Sequence, residues 1–495
     1  MGLKIDSSFL KFVTMGALGT RKVQELMTRA GLQPIELERY SRSNKIWSTK
    51  VKRLRLPDLL CVRTGLRVEV KSKSKLTIKM SDSPSNPARR WNEGLADRDM
   101  IAFVHIQEDS AGRLIAADNA EFFWVEDLRT TEGQSKLGPP KSAAEGAERD
   151  REWPSTVAAK SGVVETVTDG RFAVRTNEGR SQTYRLNGKS LYVEAGSSIV
   201  ANSQFLAGIP RRKASFPPPD GSQWNPRLLL TSDSQIDRYV AVKSLGFTGI
   251  ASDIPDIASI AANDADERVK LEAAVALLRL NDRNGLEILR AAIEHPTVDY
   301  LRMEAILALA EFRDHMLAPQ CAELLAETAS KEALLGDESR QAAIWGLGKD
   351  GLRSYRKLLS LLDTTDDNEL IHAVNAFGSD TDVALVDDLI DAVIRGNSSA
   401  RLRSSASFIL ARSIPPANVV PRLVARYNTS HGEAKNWILA TLGQMDPTPT
   451  AQWLTNSGLE ALLAPFYLTA PETNWTRSAE LIDSLTFVRK QTVET

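Results

Sequence analysis

Apolar positions recur every three to four residues through FLKFVTMGALGTRKVQELMTRAG, residues 9–31, which predicts an amphipathic helix stopped by Gly31. The pattern then changes. PDLLCV (57–62) and LRVEVK (66–71) read as two strands joined by a turn at Thr64–Gly65, and DMIAFVHI (99–106) and FFWVEDL (122–128) as further buried strands. Helix and strand patterns so mixed predict a small α/β domain over 1–129. Residues 130–155, TTEGQSKLGPPKSAAEGAERDREWPS, are polar and rich in Gly, Pro and Glu, and predict a linker. Short strands with turn residues between them return in 156–210, the pattern of a small all-β, barrel-like domain. RRKASFPPPDGSQWNP, 211–226, reads as a second linker.

From 227 to 495 the texture is helical and repetitive. An Ala-x-x-x-Leu pair recurs as Ala241/Leu245, Ala273/Leu277, Ala305/Leu309, Ala343/Leu347, Ala373/Phe377 and Ala406/Leu410, with Ile438/Leu442 a degenerate copy. The second members stand about 30 to 38 residues apart, room for two short helices and two turns. RVKLEAAVALLRL, LRMEAILALAEF and SRQAAIWGLG resemble HEAT repeats of the short, bacterial lyase-like type, which implies an all-α solenoid and a protein partner. Seven residues before each Leu stands Arg238, Lys270, Arg302, Arg340, Leu370, Arg403 or Lys435. These cations either pair with acids and carbonyls inside the array or follow a phosphate backbone. Nearby Asp266, Glu267, Glu272 and Glu304 favour pairing. In the middle domain, YVEAGSSIVANSQFLAG resembles the turn-and-strand pattern of lipoyl-like barrel-sandwich domains over some 20 residues.

Charge alters this picture only locally. The chain of 495 residues carries a formal net charge of −1, which points to no partner. Yet between Arg42 and Lys79 there are twelve basic residues against two acids, Asp58 and Glu69. Such a window attracts polyanions. The cysteines, Cys61 and Cys321, form no CxxC pair, which argues against a zinc ribbon or disulfide framework and fits a cytoplasmic protein. MGLKIDSS has no apolar signal region, and no run of 18 apolar residues predicts a membrane span. NGKS at 187–190 lacks the upstream Gly of a phosphate loop, the five histidines lack metal-ligand spacing, and there is no GxSxG.

The two acids sit in apolar strands, where an unpaired charge is costly. Glu69 and Lys71 are two apart, so they share one strand face, and a hairpin about Thr64–Gly65 brings Asp58 towards it. Converging carboxylates repel unless a cation lies between them, and Mg2+ or Mn2+ accepts such ligands. With a lysine alongside, these are the parts of metal-assisted phosphodiester hydrolysis.

The stretch PDLLCVRTGLRVEVK resembles the PD-(D/E)xK, restriction-endonuclease-like nuclease superfamily: Pro57–Asp58 matches PD and Glu69–Val70–Lys71 matches ExK. GALGTRKVQELMTRAG resembles the first helix of its resolvase-like members. The resemblance covers roughly residues 10–129. It implies an endonuclease, acting on DNA rather than RNA, with Asp58, Glu69 and the Val70 carbonyl as metal ligands and Lys71 as the catalytic lysine. Lys52, Arg53, Arg55, Lys73, Lys75, Arg89 and Arg90 are the expected nucleic-acid contacts, with Trp91 either stacking on a base or filling the core. Thr20 stands where relatives often carry a third acid; Glu25, Glu36 and Glu38 are the other candidates. The repeats would gate cleavage, and by analogy of architecture the protein would serve bacterial antiviral defence or DNA repair. The alternative is a non-catalytic nucleic-acid-binding scaffold that recruits proteins through its repeats.

Overall fold

The computed structural model describes residues 7–38, 54–110, 113–143, 147–218, 224–348, 352–378, 381–445, 450, 453–454 and 457–459. They fall into two compact units, one holding the described residues up to Ala276 and the other those from Leu277 on.

The first unit opens with α1 (Ser7–Arg29), closed by Gly31 at φ 81°, a left-handed position that glycine adopts without strain. There follow β1 (Pro34–Glu36), β2 (Leu59–Cys61), β3 (Arg67–Lys73), β4 (Ile78–Asp82), β5 (Met100–Glu108) and β6 (Leu114–Trp124). Five of these make one sheet in the order β1-β2-β3-β5-β6, antiparallel except for the parallel β3–β5 pair. Alternation along β3 divides its side chains between two faces. Val68 and Val70 join Met100, Ala102 and Val104 of β5 beneath Met15, Val23 and Met27 of α1. At Gly19 the helix comes so close that a Cβ would lie 2.0 Å from Ser72 Oγ. On the opposite face, Ile101, Phe103 and Phe123 form a second core.

The crossover from β3 to β5 contains no α-helix. Pro84 and Pro87 break the segment, leaving a 3-10 turn at Pro87–Arg89, and β4 leaves the main sheet to pair elsewhere. Its partners revise the expected linker. After α2 (Val125–Thr130), β7 (Lys136–Pro140) and β8 (Arg149–Trp153) form a sheet ordered β4-β8-β7. The described residues of 130–155 therefore belong to the N-terminal fold and supply Trp153 to the second core. The sheet is fixed by ions: Arg151 donates to the fully buried Asp82 at 2.6 Å.

β9 (Ser155–Val157), β10 (Gly162–Thr168), β11 (Arg171–Thr176), β12 (Ser181–Arg185), β13 (Ser190–Leu191), β14 (Ser198–Ile199) and β15 (Phe205–Gly208) build the expected β region as two small sheets, β12-β11-β10-β14 and β13-β15-β9. Val164, Phe172, Val174, Ile199 and Leu206 fill its core. NGKS is the turn between β12 and β13, with Asn187 and Gly188 both at positive φ. The second expected linker is not loose either: Ala214 N donates to Phe122 O at 2.7 Å, and Phe216 packs on Phe122.

The helical region runs from α3 (Gln235–Thr248) and α4 (Ile254–Asn263) through α5 (Glu267–Arg279) and α6 (Asn284–Glu294), α7 (Asp299–Leu309) and α8 (Ala318–Ala329), α9 (Glu338–Leu347) and α10 (Leu352–Leu361), α11 (Asp367–Asn375) and α12 (Val383–Ile394), to α13 (Ala400–Arg412), α14 (Pro416–Thr429) and α15 (Glu433–Gly443). The Ala-x-x-x-Leu pairs fall on the odd-numbered helices, with Phe377 just past the end of α11, and every member is buried. The expected boundary at 226/227 does not separate the compact units: α3 and α4 belong with the N-terminal sheets.

The repeated cations find partners inside the array. Arg238 grips Asp264 at 2.7 and 2.9 Å, Lys270 meets Glu267 at 2.8 Å and Arg302 donates to Ile293 O at 2.9 Å. Arg340 pairs with Glu369 at 3.2 Å and Arg403 with Glu433 at 2.7 Å, while Lys435 lies over the Tyr427 ring at 4.6 Å. Each cation thus has a partner within its own or the next repeat; for the buried Arg340 and Arg403, burial of a charge requires one.

Candidate active site

β2 and β3 pair as Leu59↔Val68 and Leu60↔Arg67 around a turn in which Gly65 N bonds Cys61 O, so the hairpin forms where the sequence places it. Continuing the register by one residue sets Asp58 opposite Glu69, on the same face. There the ladder changes: Val70 N donates not to a backbone carbonyl but to Asp58 Oδ2, at 2.7 Å. Pro57, one residue earlier, has no amide N–H with which to extend the ladder. Lys71 Nζ forms an ion pair with Glu69 Oε1. Burial pushes the Lys71 ammonium down, but the Glu69 and Asp58 carboxylates outweigh it, and its pKa ends above the usual lysine value. Asp58, Glu69 and Lys71 are therefore brought together, with Arg55 close enough to oppose the carboxylates at Lys71.

Lys73 lies two residues on, on the same face. Burial and the ammoniums of Lys71 and Lys79, with Lys141 adding to them against Asp150, push its pKa down to about 8. Lys79 and Lys141 stand 3.3 and 2.8 Å from Asp150 on the small β4-β8-β7 sheet. Lys141 carries no mark in the sequence that would single it out, because it follows β7 in the polar stretch read as a linker.

Other expected site residues fall elsewhere. Lys52 and Arg53 lie outside the described residues. Lys75 and Arg89 are exposed. Arg90 is tied to Glu132 at 2.5 Å and lies 3.7 Å from Asp82, so it belongs to the ion network around β8. Trp91 is a core residue, 2% exposed, edge-on to Trp153. Val70 sends its side chain under α1 and pairs in the ladder with Ala102. The basic window is partly neutralised within the fold: Arg67 pairs with Asp237 and Lys79 with Asp150.

The candidate third-acid positions on α1 are taken up within the helix. Thr20 is buried and donates to Gly16 O at 3.1 Å, and Glu25 meets Lys22 at 2.9 Å and Arg21 at 3.6 Å on its own helix. Glu36 closes β1 opposite Leu59, with Glu38 two residues beyond. Among the described residues no group of three or more His, Cys, Asp and Glu could hold a metal ion.

A family model described as HEAT repeats matches residues 227–310, and the C-terminal region is a helical repeat array. No curated protein matches the chain. Similar solved structures include the YibA protein of Escherichia coli, at 15% identity and TM-score 0.27, with 52% of this chain and 90% of that one covered. They also include the complex of CpcE and CpcF of phycocyanin lyase from Nostoc, at 18% and 0.27, with 55% and 98% covered. An engineered protein aligns at 16% and 0.16, covering 54% and 96%. No helix among the described residues is long and apolar enough to cross a membrane.

Proposed function

We propose that the N-terminal unit is a metal-dependent nuclease of the PD-(D/E)xK kind, hydrolysing phosphodiester bonds in DNA, and that the helical repeats hold a protein partner or the nucleic acid and so control cutting. The observation that carries this is the convergence of Asp58 and Glu69 on the Lys71 ammonium at the open end of the β2–β3 hairpin. Two carboxylates on adjacent strands suit a hard cation, which completes its shell with water, carbonyl and substrate oxygens. When bound, Mg2+ or Mn2+ would supply Lewis acidity towards a phosphate oxygen. Asp58 and Glu69 would hold it, with Val70 O a further oxygen donor. Lys71, kept protonated by its neighbours, would stabilise the negative charge that develops on the phosphate. Lys73, half protonated near pH 8, would bind the adjacent phosphate or hold a proton beside it.

A second reading, a nucleic-acid-binding scaffold without catalysis, is favoured by one observation: no third acid joins the pair among the described residues. One experiment separates the two. Supercoiled plasmid, linear DNA and RNA are incubated with the full chain in Mg2+, Mn2+ or EDTA, beside Asp58→Ala and Lys71→Ala. Metal-dependent cutting lost in both variants supports the nuclease; binding without cutting under every metal, equal in all three proteins, supports the scaffold.

A further inference from the structure

The helix that begins the repeat array reaches the back of the hairpin that carries the site. Lys243 on α3 is 2% exposed, and its Nζ donates to the carbonyl of Leu37 at 2.9 Å. Leu37 N in turn donates to Asp58 O at 3.1 Å, and the Asp58 carboxylate accepts Val70 N at 2.7 Å. Two hydrogen bonds thus run from the repeat helix to Asp58, which would hold the metal, and a third ties its carboxylate to Val70. Two more contacts grip the closed end of the same hairpin: Ser244 Oγ donates to Val62 O at 3.4 Å, and Asp237 pairs with Arg67.

Burying an ammonium is costly, and an apolar side chain of similar length would pack without that cost. Lys243 offsets it by its bond to Leu37 O, by Glu272 at 3.9 Å and by the Tyr239 ring at 5.8 Å; the Tyr239 hydroxyl donates to Glu272 at 2.7 Å. β1 and β2 are only three residues long, so few ladder bonds of their own fix where they lie. Their position depends on what is pressed against them from outside.

We propose that Lys243 is a positioning residue for Asp58: α3 sets the place of the β1–β2 backbone through Leu37, and displacement of α3 loosens the Asp58–Val70 bond. This rests on the nuclease reading only for its catalytic consequence. The repeat array would then act on the site through its first helix, by contact rather than through a tether.

Lys243→Met removes the ammonium donor and keeps the length, leaving Leu37 O only the longer contact to the Tyr239 hydroxyl at 3.5 Å, while Lys243→Arg keeps a charged donor. In the full chain, hydrogen exchange of the Leu37 and Val70 amides is expected to quicken about tenfold in Lys243→Met, the loss of one charge-assisted bond. Exchange across Phe172–Thr176 is expected to stay unchanged, and Lys243→Arg to restore the slow rate. Where the wild type cuts DNA, Lys243→Met should need more Mg2+ for half-maximal cutting while keeping its rate at saturating Mg2+; a merely structural role would lower the folded fraction at every Mg2+ concentration. Unchanged exchange at Leu37 and Val70 in folded Lys243→Met overturns the proposal. If that variant does not fold, Lys243→Gln, which falls short of Leu37 O, is read in the same way. A wild type that never cuts removes the nuclease reading, and the exchange rates still decide the coupling.

Discussion

Asp58 accepts the amide proton of Val70 across the hairpin, at 2.7 Å, in the place a backbone carbonyl would otherwise take. One carboxylate therefore has two duties, splicing the ladder and facing Lys71, and these separate by substitution. Asp58→Asn keeps an oxygen acceptor for Val70 and should unfold within about 1 kcal/mol of wild type, yet lose all metal-dependent cutting. Asp58→Ala leaves Val70 N without that partner and should cost a further 1–2 kcal/mol or so. Urea titrations beside plasmid cleavage check both.

Lys73 gives the pH dependence. On the nuclease reading, phosphate binds the protonated Lys73 amine, and in the free protein that proton leaves at about pH 8. Affinity for a DNA duplex should therefore hold below pH 8 and fall above it, by at most about tenfold per unit, since one proton must be taken up on binding. Lys73→Arg stays charged throughout and should show a flat profile from pH 7 to 9.5. Fluorescence anisotropy in EDTA at fixed salt measures this without cleavage.

Gly19 is where α1 meets β3. The Cβ of Gly19→Ala would lie 2.0 Å from Ser72 Oγ and 3.2 Å from Ser72 Cβ, so helix and strand must separate or Ser72 must turn. A loss of about 1–3 kcal/mol is expected, in the range of overpacked cores. Ser72→Ala in the same chain removes the nearer atom and should recover part of it. Thermal melts of the single and double variants form the cycle.

Arg340 decides between the two uses of the repeated cation. Glu369 is fully buried and accepts from Gly336 N at 3.0 Å and Thr364 Oγ1 at 2.7 Å, with Arg340 at 3.2 Å supplying the opposite charge. Arg340→Met leaves that carboxylate uncompensated and should cost about 3–5 kcal/mol. DNA affinity of the folded fraction should not change. A fall in affinity with stability intact would make the cation a phosphate contact instead.

Much of this was visible in the pattern of residues, and the exceptions have a common cause. The α1 periodicity, the hairpin about Gly65 and the Ala-x-x-x-Leu repeat are local, each readable within a few residues. So was the pairing of Glu69 with Lys71, a matter of strand alternation. β7 and β8 were not, because KLGPP and RDREW show little apolar alternation; their sheet is held by Arg151 on Asp82 and by Trp153. The charge count in 42–79 overstated the free field, since Arg67 and Lys79 find acids far along the chain, at Asp237 and Asp150. Arg90 was drawn from the site in the same way, by Glu132. The reach of Lys243 to Leu37 spans some two hundred residues and leaves no trace in either segment.

The stretch pinned along β6 has a different kind of consequence. β6 ends the five-stranded sheet, and an open edge invites pairing with a strand from another molecule. Ala214 takes up Phe122 O, Phe216 covers the Phe122 ring and Lys213 neutralises Glu121 at 2.7 Å, so the chain shields part of its own border. Cutting the protein after Gly208 to isolate the N-terminal sheets would strip that cover along with α3. Self-association of such a fragment would then report an uncapped edge, not a property of the intact molecule.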